Sequence, residues 1–391
     1  MSHDALSEDV RALREIAHAF ARDVLRPAGL QADRSGRTPW DAVRTAGDLG
    51  LVAANVPEEY GGPGVGMQAL AAVMEELGWG NFGLAAKIGA AALVAQAILE
   101  HGSAEQKRRY LGRLCSTDRP WVGALALTEP ESGSELEIDL GGPPQHLQTR
   151  AERQGDGYRI TGQKRFITNG GEADLTLLLA RVGDGGPQEG WTLFLVERGA
   201  GGFTAGRQIP TLGLRGSYTG EIHLDGCKVP ETARLGGQGE GLAIVLRVLE
   251  VARTMIASAA VGLARGACEA ATAYARERRQ FGVPLLEHQL VAGRLAGMRL
   301  RIDAARALVH RAALDLAAGR SAALSAAEAK LFASEMAVHV TQDALHVHGG
   351  YGYTQDLPLE MWVRDAVVSR IFFGTSEMQA LEIAHHLAAG A

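Results

Sequence analysis

The chain has 391 residues, 46% of them hydrophobic, and a formal net charge of −6. That is enough apolar material for a large core divided among two or three domains. Charges of both signs are mixed along it with no long basic run, which gives no reason to expect nucleic acid as a partner.

The first ten residues, Met1 to Val10, are polar and acidic and do not read as a signal peptide. Ser7 is placed to cap a helix whose first turn carries Glu8 and Asp9. Val10, Leu13, Ile16, Phe20 and Val24 then recur at steps of three and four, one apolar stripe. Pro57 and Gly61-Gly-Pro-Gly64 break the pattern into a loop, after which Leu70, Val73, Met74 and Leu77 resume it. The apolar run Phe82 to Leu99 contains Lys87 and Gln96 and reads as a buried helix, not a membrane span. From about Trp121 to Pro230 the period changes to short β-rich segments, Tyr158–Thr161, Thr176–Leu179, Trp191–Val196 and Glu221–Leu224, which predicts a small barrel or sandwich. After Gly241 the stripe Val245, Leu249, Ala252, Ile256, Ala260 and Leu263 restores helix. Two more Ala/Leu-rich segments follow, Leu285 to Ala318 and Ala322 to His348. Each would be on the order of 40 Å long, the length of bundle helices. The expectation is an α+β chain: a helical domain over 1–120, a β-barrel-like domain over 121–232 and a four-helix bundle over 233–391. The three cysteines, Cys115, Cys227 and Cys268, are far apart and form no C-x-x-C pair. They argue against a disulfide framework or structural zinc and fit a cytoplasmic protein.

Several short motifs carry chemistry. Leu127-Thr-Glu-Pro130 and Gly133-Ser-Glu135 are followed by Gly162-Gln-Lys-Arg-Phe-Ile-Thr-Asn-Gly170. A hydroxyl beside glycine can donate to phosphate or to a flavin ring while the backbone comes close, and Phe166 could cover a flat ring. Further on stand Arg278-Arg-Gln-Phe-Gly282, His288-Gln289, His348-Gly-Gly-Tyr-Gly-Tyr353, Arg364-Asp365 and Gly374-Thr-Ser-Glu377. Taken together, in this order and spacing, they resemble the acyl-CoA dehydrogenase family over nearly the whole chain, from Pro57 onward.

The resemblance implies one FAD per subunit of a homotetramer or dimer, lying between β-domain and bundle, and no metal. It implies that Leu127, Thr128, Gly133, Ser134, Phe166 and Thr168 contact the isoalloxazine and pyrophosphate, with Thr375 and Glu377 near the adenosine end. Arg278, Gln280, Phe281 and Gln289, with His346, Gly349 and Gly350, would complete the site from a neighbouring subunit. Arg278 suits a pyrophosphate because guanidinium pairs with phosphate in two-point fashion. Expected partners are an acyl-CoA or acyl-carrier-protein thioester and, for a dehydrogenase, an electron-accepting flavoprotein.

The pattern fails at the base. The family removes a substrate α-proton with a carboxylate, set immediately before the Gly-Thr of the last motif or just before an arginine that corresponds to Arg253. Here those residues are Phe373 and Ala252. Glu250 is the nearest alternative, although at ~100° per residue it points about 200° away from position 252. It is a candidate base and, with Lys87, Arg253 and Phe373, a candidate substrate contact. An apparent insertion, Leu136 to Gln148, also sits beside the flavin-facing turn. Three readings stay open: a dehydrogenase with a displaced base, a relative doing elimination or desulfination, and a non-catalytic subunit of a hetero-oligomer.

Overall fold

The computed structural model describes residues 8–136, 146–183 and 190–390. The cap expected at Ser7 and most of the expected insertion, including Glu137, Asp139 and Gly141 to Pro144, lie outside the described residues. The first segment is helical: α1 (Glu8–Phe20), α2 (Arg26–Ser35), α3 (Trp40–Asp48), α4 (Met67–Gly80), α5 (Phe82–His101) and α6 (Ala104–Leu114). Helix α6 starts from a full capping box: Ser103 N–H donates to Gln106 Oε1 at 2.9 Å and Gln106 N–H to Ser103 Oγ at 3.2 Å. Gln106 Nε2 also donates to the carbonyls of Thr232 and Arg234, both at 2.8 Å, which fastens this helix to the β-domain. Helix α5 is apolar on every side because it is covered on every side, by α4, α6, α7 and the first strand. Its most apolar window is 89% buried inside the chain.

The central strands are β1 (Gly123–Ala126), β2 (Arg150–Gln154), β3 (Gly157–Thr168), β4 (Leu175–Val182), β5 (Trp191–Glu197), β6 (Phe203–Gln208), β7 (Thr219–Pro230) and β8 (Arg234–Leu235). They form one sheet in the order β6-β7-β3-β2-β4-β5-β8, with β1 also pairing β4. β1 and β2 follow one another along the same edge of β4, both parallel to it. Strand β4 is buried on both faces. Leu175, Leu177 and Leu179 join the core shared with the helices, while Leu178, Ala180 and Val182 fill the core of the β-domain itself. This is why its sequence is a continuous apolar run and not an alternation.

The last segment holds α7 (Gly241–Glu277), the two-residue strands β9 (Arg279–Gln280) and β10 (Val283–Pro284), then α8 (Gln289–Ala317), α9 (Ala323–His348), α10 (Leu359–Val368) and α11 (Ser376–Ala388). Helix α8 begins later than the apolar pattern suggested, because Leu285–Glu287 forms a 3₁₀ turn after the β9–β10 hairpin. Helix α9 packs against α7, α8, α10 and α11, and α4 lies along α7. That last approach requires Gly78 and Gly262: a Cβ on either would strike the backbone of the facing helix. Arg306 then donates to both carboxylate oxygens of Glu75, from Nε and from Nη2 at 3.0 Å each, so α4 and α8 are ion-paired as well.

Helix α10 pins the loop between β6 and β7. Arg364 Nη1 donates to the Leu212 carbonyl at 3.0 Å and its Nη2 pairs with Asp33 at 2.7 Å. Leu214, at φ 52°, gives its N–H to the buried Asp365 Oδ1 at 2.7 Å. Burial pushes the Asp365 carboxyl up to about 7, against the opposing pull of that N–H. A carboxyl raised in the folded state holds more protons than in the unfolded chain, whose aspartates titrate near roughly 3.9. Stability therefore falls as the pH rises from roughly 4 to 7. Asp365→Asn is expected to flatten this slope. Thermal unfolding midpoints of both proteins across that window check it.

Candidate functional site

Strand β3 builds the first part of the site. Its pairing with β7 shifts register between Lys164 and Ile167, where Phe166 adopts φ 59°. The irregularity turns the Phe166 ring outward, 55% exposed, with the Arg165 guanidinium 5.1 Å from its centre. Lys164 points the other way, into a fully buried position. Its Nζ donates to the Leu127 carbonyl at 3.0 Å and to Glu129 Oε1 at 2.9 Å, and the Arg165 N–H donates to the Thr128 carbonyl at 2.9 Å. Two motifs 35 residues apart in the chain thus become one surface. Leu127 and Thr128 stand beside Phe166 and Thr168.

Glu129 organises the turn that follows. It accepts the N–H groups of Gln148 at 2.6 Å and Thr149 at 3.1 Å. Burial works to raise its carboxyl, but Lys164 and these donors outweigh burial and hold it below the usual range. Backbone pairing of Glu129 with Ser132, at 2.8 and 3.3 Å, leads into Gly133 and the exposed Ser134. Leu136 closes the turn by packing into the helical core, and the Ser134–Leu136 turn touches α7. Glu129 and Lys164 were inside the quoted motifs but received no role from the sequence. A single Lys and a single Glu read as surface charges until the fold buries both.

The second part is the turn that enters α11. Phe373 has φ 53° and Gly374 φ 92°, and Thr375 caps the helix by accepting the Met378 N–H at 3.4 Å. Three buried side chains hold the two carbonyls. Arg253 Nε donates to the Phe373 carbonyl at 3.2 Å and Gln379 Nε2 to the same oxygen at 3.3 Å, while Lys330 Nζ donates to the Gly374 carbonyl. Phe373 lies 5.0 Å from Phe372, ring to ring, and Phe372 lies 6.1 Å from Phe82 at the start of α5. Ala252 is buried in α7. Glu377 is exposed in the first turn of α11, and a hydrogen bond with Thr375 lowers its carboxyl.

The third part is a cavity of about 580 Å³ at the far end of the bundle, lined in part by Tyr274, Arg278, Gln280, His348, Gly349 and Gly350. His348 stacks on Tyr274 at 4.4 Å. Gly349, at φ 59°, and Gly350 have open space where a Cβ would be. His346, in contrast, turns to Arg294 at 3.1 Å and does not line the cavity. Phe281 is 94% exposed and Gln289 is exposed beside it.

Two expected residues are committed elsewhere. Lys87 does not snorkel: it is fully buried, with Nζ 2.6 Å from Glu172 Oε2 and 3.0 Å from Asn169 Oδ1. Burial lowers its ammonium against the opposing pull of Glu172. It ties α5 to the end of β3. Glu250 takes Arg247 Nη1 at 2.6 Å, Ser321 Oγ at 3.2 Å and the Ala322 N–H at 2.9 Å. These partners hold its carboxylate at the α8–α9 turn.

Models of the acyl-CoA dehydrogenase N-terminal, middle and C-terminal domains match residues 7–118, 124–227 and 239–388. The chain belongs to the acyl-CoA dehydrogenase family. An acyl-CoA dehydrogenase of Bacillus subtilis (strain 168) is 38% identical over 383 residues, 97% of this chain and 97% of its own. The prolyl acyl carrier protein oxidase AnaB, a solved structure, is 32% identical with a TM-score of 0.92 over 98% of this chain and 100% of that one. PigA, solved with FAD and proline, is 29% identical with a TM-score of 0.91 over the whole of both chains, 100% each.

The residues present fit a flavin dinucleotide. Phe166 offers an exposed aromatic face beside the hydroxyls of Thr128 and Thr168, and the glycine-floored cavity at Arg278 has room and charge for a phosphorylated end. Lys164→Met should strand Glu129 as a buried unpaired carboxylate and cost about 3–5 kcal/mol. It should also loosen the Leu127–Thr128 surface. Denaturant unfolding reads the first effect and bound flavin per chain the second.

Proposed function

We propose that this family member binds FAD and oxidises an acyl thioester, carried by CoA or by an acyl carrier protein, without a carboxylate base at residue 373 or 252. The observation that carries this reading is the Phe373–Gly374 turn. The turn retains a complete set of buried clamps, Arg253, Gln379 and Lys330, while its side chain has no acid–base capacity.

Leu127, Thr128, Gly133, Ser134, Phe166 and Thr168 hold the flavin and first phosphates, and Thr375 and Glu377 lie toward the adenosine. Arg278, Gln280, Phe281, Gln289, His346, Gly349 and Gly350 complete the site of a neighbouring subunit in a homotetramer or dimer. The exposure of two large apolar side chains, Phe281 at 94% and Leu290 at 91%, supports such an assembly. FAD supplies the hydride-accepting chemistry when bound. The chain's own residues orient the thioester, exclude water and hold the turn. Arg253 stands at the substrate end, and an electron-accepting flavoprotein reoxidises the cofactor. The domain limits 1–120, 121–232 and 233–391 and a cytoplasmic setting belong to the same reading.

The test is purification followed by anaerobic mixing with saturated acyl-CoAs. The protein is expected to be yellow with FAD bound and to bleach slowly with these substrates. Phe373→Glu should speed bleaching by roughly 10²–10⁴-fold, the usual contribution of a positioned base. A variant that binds FAD and acyl-CoA yet gains nothing would place the chain among relatives with elimination or desulfination chemistry, or among non-catalytic subunits. A colourless protein that takes up no added FAD defeats the reading altogether.

A further inference from the structure

Strand β3 ends in Thr168, which the proposed function gives to the flavin, and the next residue is a junction. Asn169 is fully buried and adopts φ 64°. Asparagine tolerates this left-handed conformation better than most residues. Its Nδ2 donates to the carbonyls of Lys87 at 3.1 Å and Gly123 at 2.9 Å, which joins β3 to α5 and β1. Its own N–H donates to the Tyr218 carbonyl at 2.7 Å. Carbonyls can only accept, so these two fix the amide with Nδ2 toward them and Oδ1 on the other side.

Oδ1 then needs a donor, because a buried amide oxygen left unpaired is costly. Lys87 Nζ supplies it at 3.0 Å. The Asn169 carbonyl accepts the N–H groups of Glu172 at 2.8 Å and Ala173 at 2.7 Å, and this turn brings the Glu172 side chain back to Lys87 Nζ at 2.6 Å. The contacts close on themselves: Lys87 to Asn169, along the turn to Glu172, and back to Lys87. The segment entering α3 covers them, with Thr38 Oγ1 on Glu172 Oε2 at 2.8 Å and the Trp40 ring centre 4.9 Å from Lys87 Nζ. An apolar residue at 87 would fill α5 without the desolvation that a charge suffers there. What the ammonium adds is a fixed orientation for the Asn169 amide.

We propose that Lys87 is a positioning residue for the flavin, acting through Asn169 on the backbone of Thr168. The inference rests on the function proposed above and deepens it. With the amide held one way round, the end of β3 has one conformation, and Thr168 is in place before the cofactor arrives. Without the ammonium the amide is free to turn over. That sets Oδ1 against the carbonyls of Lys87 and Gly123 and releases the end of the strand. Affinity for FAD falls, while the two hydrophobic cores on either side of β4 persist.

The full chain, stripped of flavin and titrated with FAD, tests this through the quenching of flavin fluorescence. Lys87→Met is expected to raise the dissociation constant roughly tenfold, the scale of one charge-assisted hydrogen bond. It should also shift the visible absorption band of the bound flavin. Lys87→Gln, whose amide can still donate, should recover part of the loss. The decisive comparison is a double-mutant cycle with Thr168→Val. In that background Lys87→Met should cost less than about twofold, because no hydroxyl is left to position. Losses that simply add would make Lys87 a general structural residue and overturn the inference. So would an unchanged dissociation constant in Lys87→Met. Should Lys87→Met fail to fold, Glu172→Gln, on the more exposed side of the pair, enters the same cycle under the same two criteria. Each of these results leaves the proposed function standing. A wild-type chain that takes up no FAD defeats both.

Discussion

The surface formed by Leu127, Thr128 and Phe166 depends on one buried ion pair. Lys164 and Glu129 meet at 2.9 Å with neither in contact with solvent. Isolated charges at such depth would cost several kcal/mol each. Each therefore needs the other, together with the Leu127 carbonyl and the N–H groups of Gln148 and Thr149. The consequence is geometric. In a regular strand residues 164 and 166 would share a face; the register shift between Lys164 and Ile167, with Phe166 at φ 59°, turns the ring outward while Lys164 stays inward. Satisfying Lys164 draws in the Leu127–Glu129 segment. The exposed ring and the neighbouring hydroxyls are set by a contact beneath the surface they form.

A similar division between framework and surface governs the turn before α11. The left-handed φ values at Phe373 and Gly374 cost energy for the phenylalanine and are held by donors from α7, α9 and α11. All three donors act on backbone carbonyls. The side chain at 373 is consequently free to differ in chemistry without changing the turn.

The order of domains was legible because each has its own hydrophobic period: helical stripes on α1, α4 and α7, and short strands at β3, β4, β5 and β7. Local motifs also singled out Phe166 and Thr168, although not the helix cap that Thr375 forms. The contacts that the sequence left unseen share a cause. Lys87 is one charge in an apolar helix, and sequence cannot show that Glu172 and Asn169 come from the end of the β-domain to meet it. Glu250 is the acid nearest in sequence to position 252, but its partners Ser321 and Ala322 lie 71 and 72 residues away. The late start of α8 was hidden because Leu285 and Leu286 keep the apolar pattern through a 3₁₀ turn. Long-range pairing decides these cases, and periodicity does not report it.

What remains is an energetic separation between holding a cofactor and moving a proton. A positioned base is worth roughly 10²–10⁴ in rate, or about 3–5 kcal/mol of barrier. The cradle at Arg278, the Phe166 surface and the clamped turn act on other terms: binding, orientation and exclusion of water. Replacing a carboxylate by phenylalanine removes the first and leaves the others intact.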